Sequence, residues 1–238
     1  MLAAMLCLAC DRSKTGASDS TAANVSGASV GSASTDTGKS KAGSIAAAPS
    51  ARRHGIVFAG TSLTAGLGLN PDSAYPMLIQ RKIDSAGLPF EVTNAGVSGE
   101  TSSGLLDRLD WLMRGKFDVF VIETGANDML RGVPVATVKQ NLETAIDRIK
   151  AAHPEAHVAL VQMEALPNLG PEYASGIHAV YAAVAKEKHV TLLPFLLNDV
   201  AGKRDLNQGD GLHPNNAGEK IVAANVWRAL EPILDSIK

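Results

Sequence analysis

The chain has 238 residues and a formal net charge of −2 at pH 7. This charge gives no support to a nucleic-acid partner, because proteins that bind phosphate backbones usually carry a basic surface. No apolar run is long enough for a transmembrane helix, and no internal repeat is present.

The first fifty residues differ in composition from the rest of the chain. Met1 to Cys10 is a short apolar run that ends in Ala9-Cys10. It resembles the end of a bacterial lipoprotein signal peptide, in which the cysteine after a small residue is lipidated. Of the 40 residues at 11–50, 28 are Ser, Thr, Ala or Gly. Such a segment buries too little apolar area to offset the entropy of ordering, which predicts a disordered linker.

We therefore expect three parts: a signal segment at 1–10, a linker at 11–51 and one folded domain at 52–238. The expected location is the bacterial cell envelope, on the periplasmic side, with a membrane tether through a lipidated Cys10. A cytosolic protein with an irregular terminus is the alternative.

Strand-like and helix-like patterns alternate through the expected domain. Short apolar runs predict five strands, at residues 54–60, 90–94, 117–123, 157–162 and 190–194. Apolar residues at helical spacing predict five helices, at residues 71–86, 105–114, 135–152, 173–188 and 217–234. This alternation indicates an α/β fold, a three-layer α/β/α sandwich around a five-stranded parallel sheet. In such sheets, reactive groups gather at the carboxyl ends of the strands.

Four short polar segments follow predicted strands or precede the last predicted helix, at residues 60–64, 94–101, 125–128 and 210–215. Ser62 follows a strand end, where its hydroxyl and its own N–H can face a substrate. A serine hydroxyl needs a base to become a nucleophile, and His213 can supply that base. Asp210 lies three residues earlier and can reach the other imidazole nitrogen, fixing the tautomer.

Two further residues are candidates for stabilising a developing oxyanion. Gly96 allows a backbone N–H to approach the substrate without a side chain in the way, and Asn127 offers an amide donor. Taken singly, these motifs have ordinary explanations, such as helix caps, turn glycines, a surface turn or half of a metal site. Their order, and their positions at strand ends, favour a hydrolase.

In this order the four segments resemble blocks I, II, III and V of the SGNH (GDSL-type) hydrolase family. That family is named for a Ser, a Gly, an Asn and a His, which match Ser62, Gly96, Asn127 and His213. Residues 97–102, 127–128, 130–132, 192–195 and 210–215 are most similar to the branch of lysophospholipase, acyl-CoA thioesterase I and arylesterase enzymes. The first motif of that branch usually reads Gly-Asp-Ser-Leu, whereas this chain has Thr61 at the second position.

The resemblance implies a flavodoxin-like SGNH fold and a serine esterase that hydrolyses acyl esters or thioesters through an acyl-enzyme at Ser62. It implies neither a cofactor nor a metal. The residues expected to contact substrate are Leu63, Ser98, Met129, Leu166, Leu169 and Leu212. Of these, Leu166 and Leu169 could instead only pack their own loop.

The loops next to these motifs contain further residues whose roles can be predicted. Residues 98–102 resemble the mobile loop that covers the site in this branch. Asp128 is expected to orient its loop rather than to react. Arg131 is expected to pair with a loop carboxylate, with a role in substrate binding as the alternative. Met129, where a glycine is common, is expected to narrow the pocket.

Two other functions remain open at this point. A carbohydrate acetyl esterase of the cell envelope would use the same chemistry on a different acyl group. A non-catalytic binding domain on an esterase fold would need none of it. The expected partner is a small acyl ester or thioester, with no nucleic acid, and the oligomeric state is left open.

Overall fold

A computed structural model describes residues 53–237, so the predicted signal segment and linker lie outside the described residues. Five parallel strands form one sheet in the order β2-β1-β3-β4-β5. They are β1 (His54–Gly60), β2 (Phe90–Gly96), β3 (Val119–Ile122), β4 (His157–Val161) and β5 (Thr191–Leu193). The predicted α/β class and five-stranded parallel sheet are confirmed.

Seven α-helices connect or follow the strands within residues 53–237. They are α1 (Ser62–Ala65), α2 (Tyr75–Ser85), α3 (Ser102–Leu112), α4 (Ala126–Leu130), α5 (Val135–Ala152), α6 (Pro171–Glu187) and α7 (Asn216–Ile237). Helix α2 packs against α7, while α3 packs against α5 and α5 against α6. These two groups form the outer layers of the sandwich, because a parallel sheet must be covered on both faces.

The core consists of apolar side chains from the strands and from the inner faces of the helices. All four residues of β3 are buried, as expected for a central strand. Helix α5 buries residues at helical spacing, including Val138, Leu142 and Ile149. Each fully buried aliphatic side chain of this kind contributes about 1.5–3 kcal/mol relative to leaving it exposed.

The main departure from the predicted elements is in the segment 71–86. The chain forms a 3₁₀ turn at Pro71–Ser73, leaves helical geometry at Ala74 and begins α2 at Tyr75. Pro76 explains the break, because proline lacks an N–H and is tolerated in the first helical turn but not in a helix interior. The short helices α1 and α4 are absent from the predicted elements.

The order of the strands shows where a ligand-binding crevice forms along the carboxyl ends of the sheet. β1 pairs with β2 on one side and with β3 on the other, so the chain reverses its direction of winding there. Ligands bind at such a switch point, outside the carboxyl ends of the strands. Ser62 follows β1 and Asn127 follows β3, which brings them to the same crevice. None of the helices within residues 53–237 is both long and apolar enough to cross a bilayer.

Candidate active site

Ser62, His213 and Asp210 form a continuous chain of hydrogen bonds. Ser62 Oγ lies 2.8 Å from His213 Nε2, and His213 Nδ1 lies 2.6 Å from Asp210 Oδ2. Both distances are within hydrogen-bond range. The three side chains that the sequence singled out are therefore in contact, although 151 positions separate Ser62 from His213.

The loop before α7 holds the carboxylate of Asp210 in place. Asp210 Oδ1 accepts hydrogen bonds from the backbone N–H groups of His213, at 3.0 Å, and Leu212, at 2.9 Å. These bonds, led by that from the His213 N–H and followed by that from its ring, lower the pKa of Asp210 to about 2. Asp210 is therefore ionised at neutral pH and can orient an imidazole and stabilise its protonated form.

Ser62 and Asn127 present donors to the same cavity. Ser62 is the first residue of α1, where backbone N–H groups have no intrahelical acceptor. Asn127 donates one amide hydrogen to the carbonyl of Glu100, at 3.0 Å. The amide nitrogen carries a second hydrogen, which remains available to a ligand.

Gly96 is not placed as the sequence predicted. Its N–H donates to Asn94 Oδ1 at 3.0 Å, and the residue does not line the active-site cavity. A Cβ at this position would overlap with the backbone of Thr64 and Ala65, so the glycine allows α1 to pack closely over the end of β2. The oxyanion role predicted for Gly96 is therefore wrong.

Gly99 is the glycine that lines the cavity, together with Ser62 and Asn127. It has a φ of +81°, a left-handed conformation that favours glycine. Within residues 53–237 its N–H has no hydrogen-bond acceptor. Sequence reasoning places residues 98–102 in a covering loop and therefore overlooks Gly99. A second glycine in the same motif is the signal that could have identified it.

The neighbouring loop is held by polar contacts. Asp128 accepts hydrogen bonds from the N–H of Ser102 at 2.8 Å and from its hydroxyl at 2.6 Å, so Asp128 orients this loop as expected. Within residues 53–237, Arg131 forms no ion pair with a carboxylate: its guanidinium donates to the carbonyl of Gly99 at 2.9 Å. That hydrogen bond fixes the position of the Gly99 carbonyl group.

The cavity beside Ser62 has a volume of about 490 Å³ and is mainly apolar. Five of the six predicted substrate contacts line it: Leu63, Ser98, Met129, Leu166 and Leu212. Leu169 does not line the cavity, because it packs against the hydrophobic core. Met163, Phe195 and Leu197 also line the cavity and come from loops that follow β4 and β5.

Three large apolar side chains in the cavity lining are also exposed to solvent. Leu67, Leu130 and Leu212 retain 45%, 55% and 40% of their accessible surface. A single exposed leucine is common on a protein surface, but several exposed leucines together at a cavity indicate an apolar ligand. In the part of the chain that the structure describes, no three His, Cys, Asp or Glu side chains gather as a metal site.

Comparison with known proteins gives consistent matches. The model of the GDSL-like lipase/acylhydrolase family matches residues 58–221. Esterase TesA of Pseudomonas aeruginosa is 37% identical over 180 residues, covering 75% of this chain and 89% of that protein. Thioesterase 1/protease 1/lysophospholipase L1 of Escherichia coli K12 is 34% identical over 181 residues, covering 76% and 85%. The crystal structure of the psychrotrophic esterase EstA from Pseudoalteromonas sp. has a TM-score of 0.72 and 33% identity, covering 76% of this chain and 99% of that chain.

Proposed function

This chain belongs to the GDSL-like lipase/acylhydrolase family and is a serine esterase, and we propose that Ser62, His213 and Asp210 are its catalytic residues. The observation that supports this assignment is the unbroken contact from Ser62 Oγ through His213 to Asp210, beside an apolar cavity.

In the first half of the reaction, His213 Nε2 takes the proton of the Ser62 hydroxyl as Ser62 Oγ attacks the acyl carbonyl carbon. The carbonyl π electrons move to the oxygen. The N–H groups of Ser62 and Gly99 and the free amide hydrogen of Asn127 donate to that oxyanion. The oxyanion collapses, the bond to the alcohol or thiol breaks, and His213 returns the proton to the leaving group.

In the second half, water hydrolyses the acyl-enzyme. His213 takes a proton from water as the water oxygen attacks the acyl carbon, and the same donors stabilise the second oxyanion. The carboxylic acid leaves as the proton passes back to Ser62 Oγ. Asp210 remains a carboxylate throughout, because its low pKa keeps it ionised while the imidazole gains and loses a proton.

The lining of the cavity supports an acyl chain of several carbons as the preferred group. Its side chains are mostly aliphatic, and they offer a sugar few hydrogen-bond partners. A cavity of about 490 Å³ is far larger than an acetyl group requires. We therefore favour acyl esters and thioesters, as in the names of the relatives, over acetylated carbohydrates.

The test is hydrolysis of p-nitrophenyl esters from acetate to about dodecanoate by the purified chain and by Ser62→Ala. We expect kcat/KM to rise from acetate towards medium chains, since each buried methylene adds about 0.8 kcal/mol of binding. Ser62→Ala should fold normally and lose all measurable activity. Full activity in this variant would contradict the assignment of Ser62 as the nucleophile. A strong preference for acetylated sugars would overturn the proposed substrate class.

We also propose that the enzyme works at the periplasmic side of the bacterial cell envelope, with Cys10 as a lipid attachment point. The support is the sequence Ala9-Cys10 at the end of an apolar run, followed by a segment rich in small and polar residues. These residues lie outside those the structure describes. A lipid anchor would hold the esterase close to acyl lipid substrates.

A further inference from the structure

A buried carboxylate lies directly beneath the turn that carries Ser62. Glu123 follows the last residue of β3, and 1% of its surface is exposed. Its backbone N–H donates to the carbonyl of Ala59 at 2.8 Å, which extends the pairing of β1 and β3 by one step. The side chain thus starts next to the point where the chain leaves β1 and turns towards Ser62.

Among the described residues, every hydrogen bond to the Glu123 carboxylate comes from residues on either side of Ser62. Oε2 accepts from the Thr61 N–H at 2.8 Å and from the Thr64 hydroxyl at 2.8 Å. The Thr61 hydroxyl lies 3.0 Å from both carboxylate oxygens. Because these donors precede and follow Ser62, the carboxylate holds both ends of the nucleophile turn.

The direction of the Thr64 bond follows from its second neighbour. The Thr64 hydroxyl carries one proton, which it donates to the carboxylate, so it must accept from the Tyr75 hydroxyl 2.9 Å away. The turn is therefore fixed to β3 through Glu123 and to α2 through Tyr75.

Within residues 53–237, the other titratable groups near Glu123 do not provide a cation that would neutralise it. Tyr75 of α2 and Tyr181 of α6 face it from two helices, and burial raises the pKa of both phenols well above their usual values. Arg108 of α3 reaches the Gly60 carbonyl at 3.4 Å but pairs with Glu100. Burial also raises the pKa of Glu123, against the opposing effect of the hydrogen bonds from Thr61 and Thr64. A buried carboxylate without a cation is costly unless its hydrogen bonds are all made.

We propose that Glu123 is a positioning residue for the nucleophile, and that Thr61 is the partner that allows one carboxylate to hold the Ser62 turn. The proposal rests on Ser62 being the nucleophile. Where the usual family motif has an aspartate, this chain presents a hydroxyl that donates to Glu123. An aspartate at this position would face Glu123 with a second carboxylate, and the two would have to share a proton.

The contacts therefore predict a specific consequence of restoring the usual motif. In Thr61→Asp, loss of the shared proton as the pH rises would leave two like charges about 3 Å apart, and repulsion would displace Ser62. Replacing Glu123 by glutamine in the same chain removes one charge and the need for that proton. The double variant should then lose the added pH dependence.

The experiment uses the full chain and the rate at which a fluorophosphonate labels Ser62, a measure of nucleophile geometry that depends little on the acyl pocket. The same variants are assayed for kcat and KM on one p-nitrophenyl ester between pH 6 and 9. The variants are Glu123→Gln, Thr61→Asp and Thr61→Asp with Glu123→Gln. Glu219→Gln is the matched control, because it alters a buried carboxylate that bonds to the backbone of α2 rather than to the nucleophile turn.

We expect Glu123→Gln to lower kcat and the labelling rate about tenfold, with KM within about twofold, because an amide accepts at only one of the two oxygen positions. We expect the kcat and labelling rate of Thr61→Asp, each relative to the unchanged protein, to fall about tenfold as the pH rises from 6 to 9. The double variant should show no such fall. Glu219→Gln should label within about twofold of the unchanged protein.

The outcomes separate this proposal from the proposed function. If the unchanged protein is not labelled at Ser62, the nucleophile assignment itself fails. If the unchanged protein is labelled and Glu123→Gln reacts at the same rate, Ser62 stands and the positioning role of Glu123 is overturned. If Glu123→Gln does not fold, a pH profile of Thr61→Asp that coincides with that of the unchanged protein overturns it.

Discussion

Two glycines in one motif differ in what their N–H groups contact. Gly96 donates to Asn94, whereas Gly99 lines the cavity and its N–H meets no acceptor in the described part of the chain. The sequence identified Ser62, Asp210 and His213 correctly as a group in contact, because their residue types restrict their chemistry. A glycine has no such restriction, and its role depends on how the chain leaves the strand.

The assignment of Gly99 predicts a loss of catalysis from a small change. Gly99→Ala would place a Cβ on a residue with a φ of +81°, which costs roughly 1 kcal/mol and shifts the N–H. We expect kcat to fall at least about tenfold, because donors to an oxyanion must be held in place. Steady-state kinetics on a p-nitrophenyl ester, with urea unfolding in parallel, measures both effects.

Gly87→Ala is the matched control for this prediction. Gly87 lies in the loop between α2 and β2 and has a φ of +66°, and a Cβ added there would meet only open space. This variant should lose similar stability and keep its kcat. If both variants lose stability and neither loses activity, the N–H of Gly99 does not serve the oxyanion.

At the level of whole elements, the sequence located all five strands and the five long helices. The apolar pattern of a central strand such as β3 is continuous, and that of α5 repeats at helical spacing, so both are visible in the sequence. The helices α1 and α4 escape such reasoning because they have four and five residues, too few for any periodicity to show. Their positions depend on tertiary contacts, such as those of Glu123 with the Ser62 turn.

The packing of α7 on α2 contains a carboxyl group that makes stability depend on pH. Glu219 of α7 is buried and accepts the Tyr75 N–H, and burial raises its pKa to about 8. Its pKa in the unfolded chain is near 4.5. The folded state therefore holds the proton more tightly, so stability declines as the pH rises from about 4.5 to about 8 and then levels off.

Glu219→Gln should remove this decline, because an amide keeps an acceptor for the Tyr75 N–H and does not ionise. A pKa difference of one corresponds to about 1.4 kcal/mol. The free energy of unfolding of the variant, relative to that of the unchanged protein, should therefore rise by a few kcal/mol from pH 5 to pH 9. Urea unfolding at both pH values measures the gain as a difference between the two proteins. An equal pH dependence in both would show that Glu219 is not protonated in the folded state at neutral pH.

For the whole molecule, the catalytic groups and the proposed lipid attachment point lie in separate parts of the sequence. Ser62, Asp210 and His213 are all within residues 53–237, whereas Cys10 precedes that range. The reaction needs nothing from the first ten residues in the proposed mechanism. Location and turnover should therefore respond independently to substitution.

Cys10→Ser should move the enzyme out of the membrane fraction of a bacterial host without lowering kcat, because it removes the thiol that would carry lipid. Metabolic labelling with an alkyne fatty acid should mark the unchanged protein and Cys7→Ser, the matched control, but not Cys10→Ser. Membrane association of Cys10→Ser equal to that of the unchanged protein would contradict attachment at this cysteine. Loss of label in Cys7→Ser alone would place the lipid on Cys7 instead, since both thiols lie in the same short apolar run.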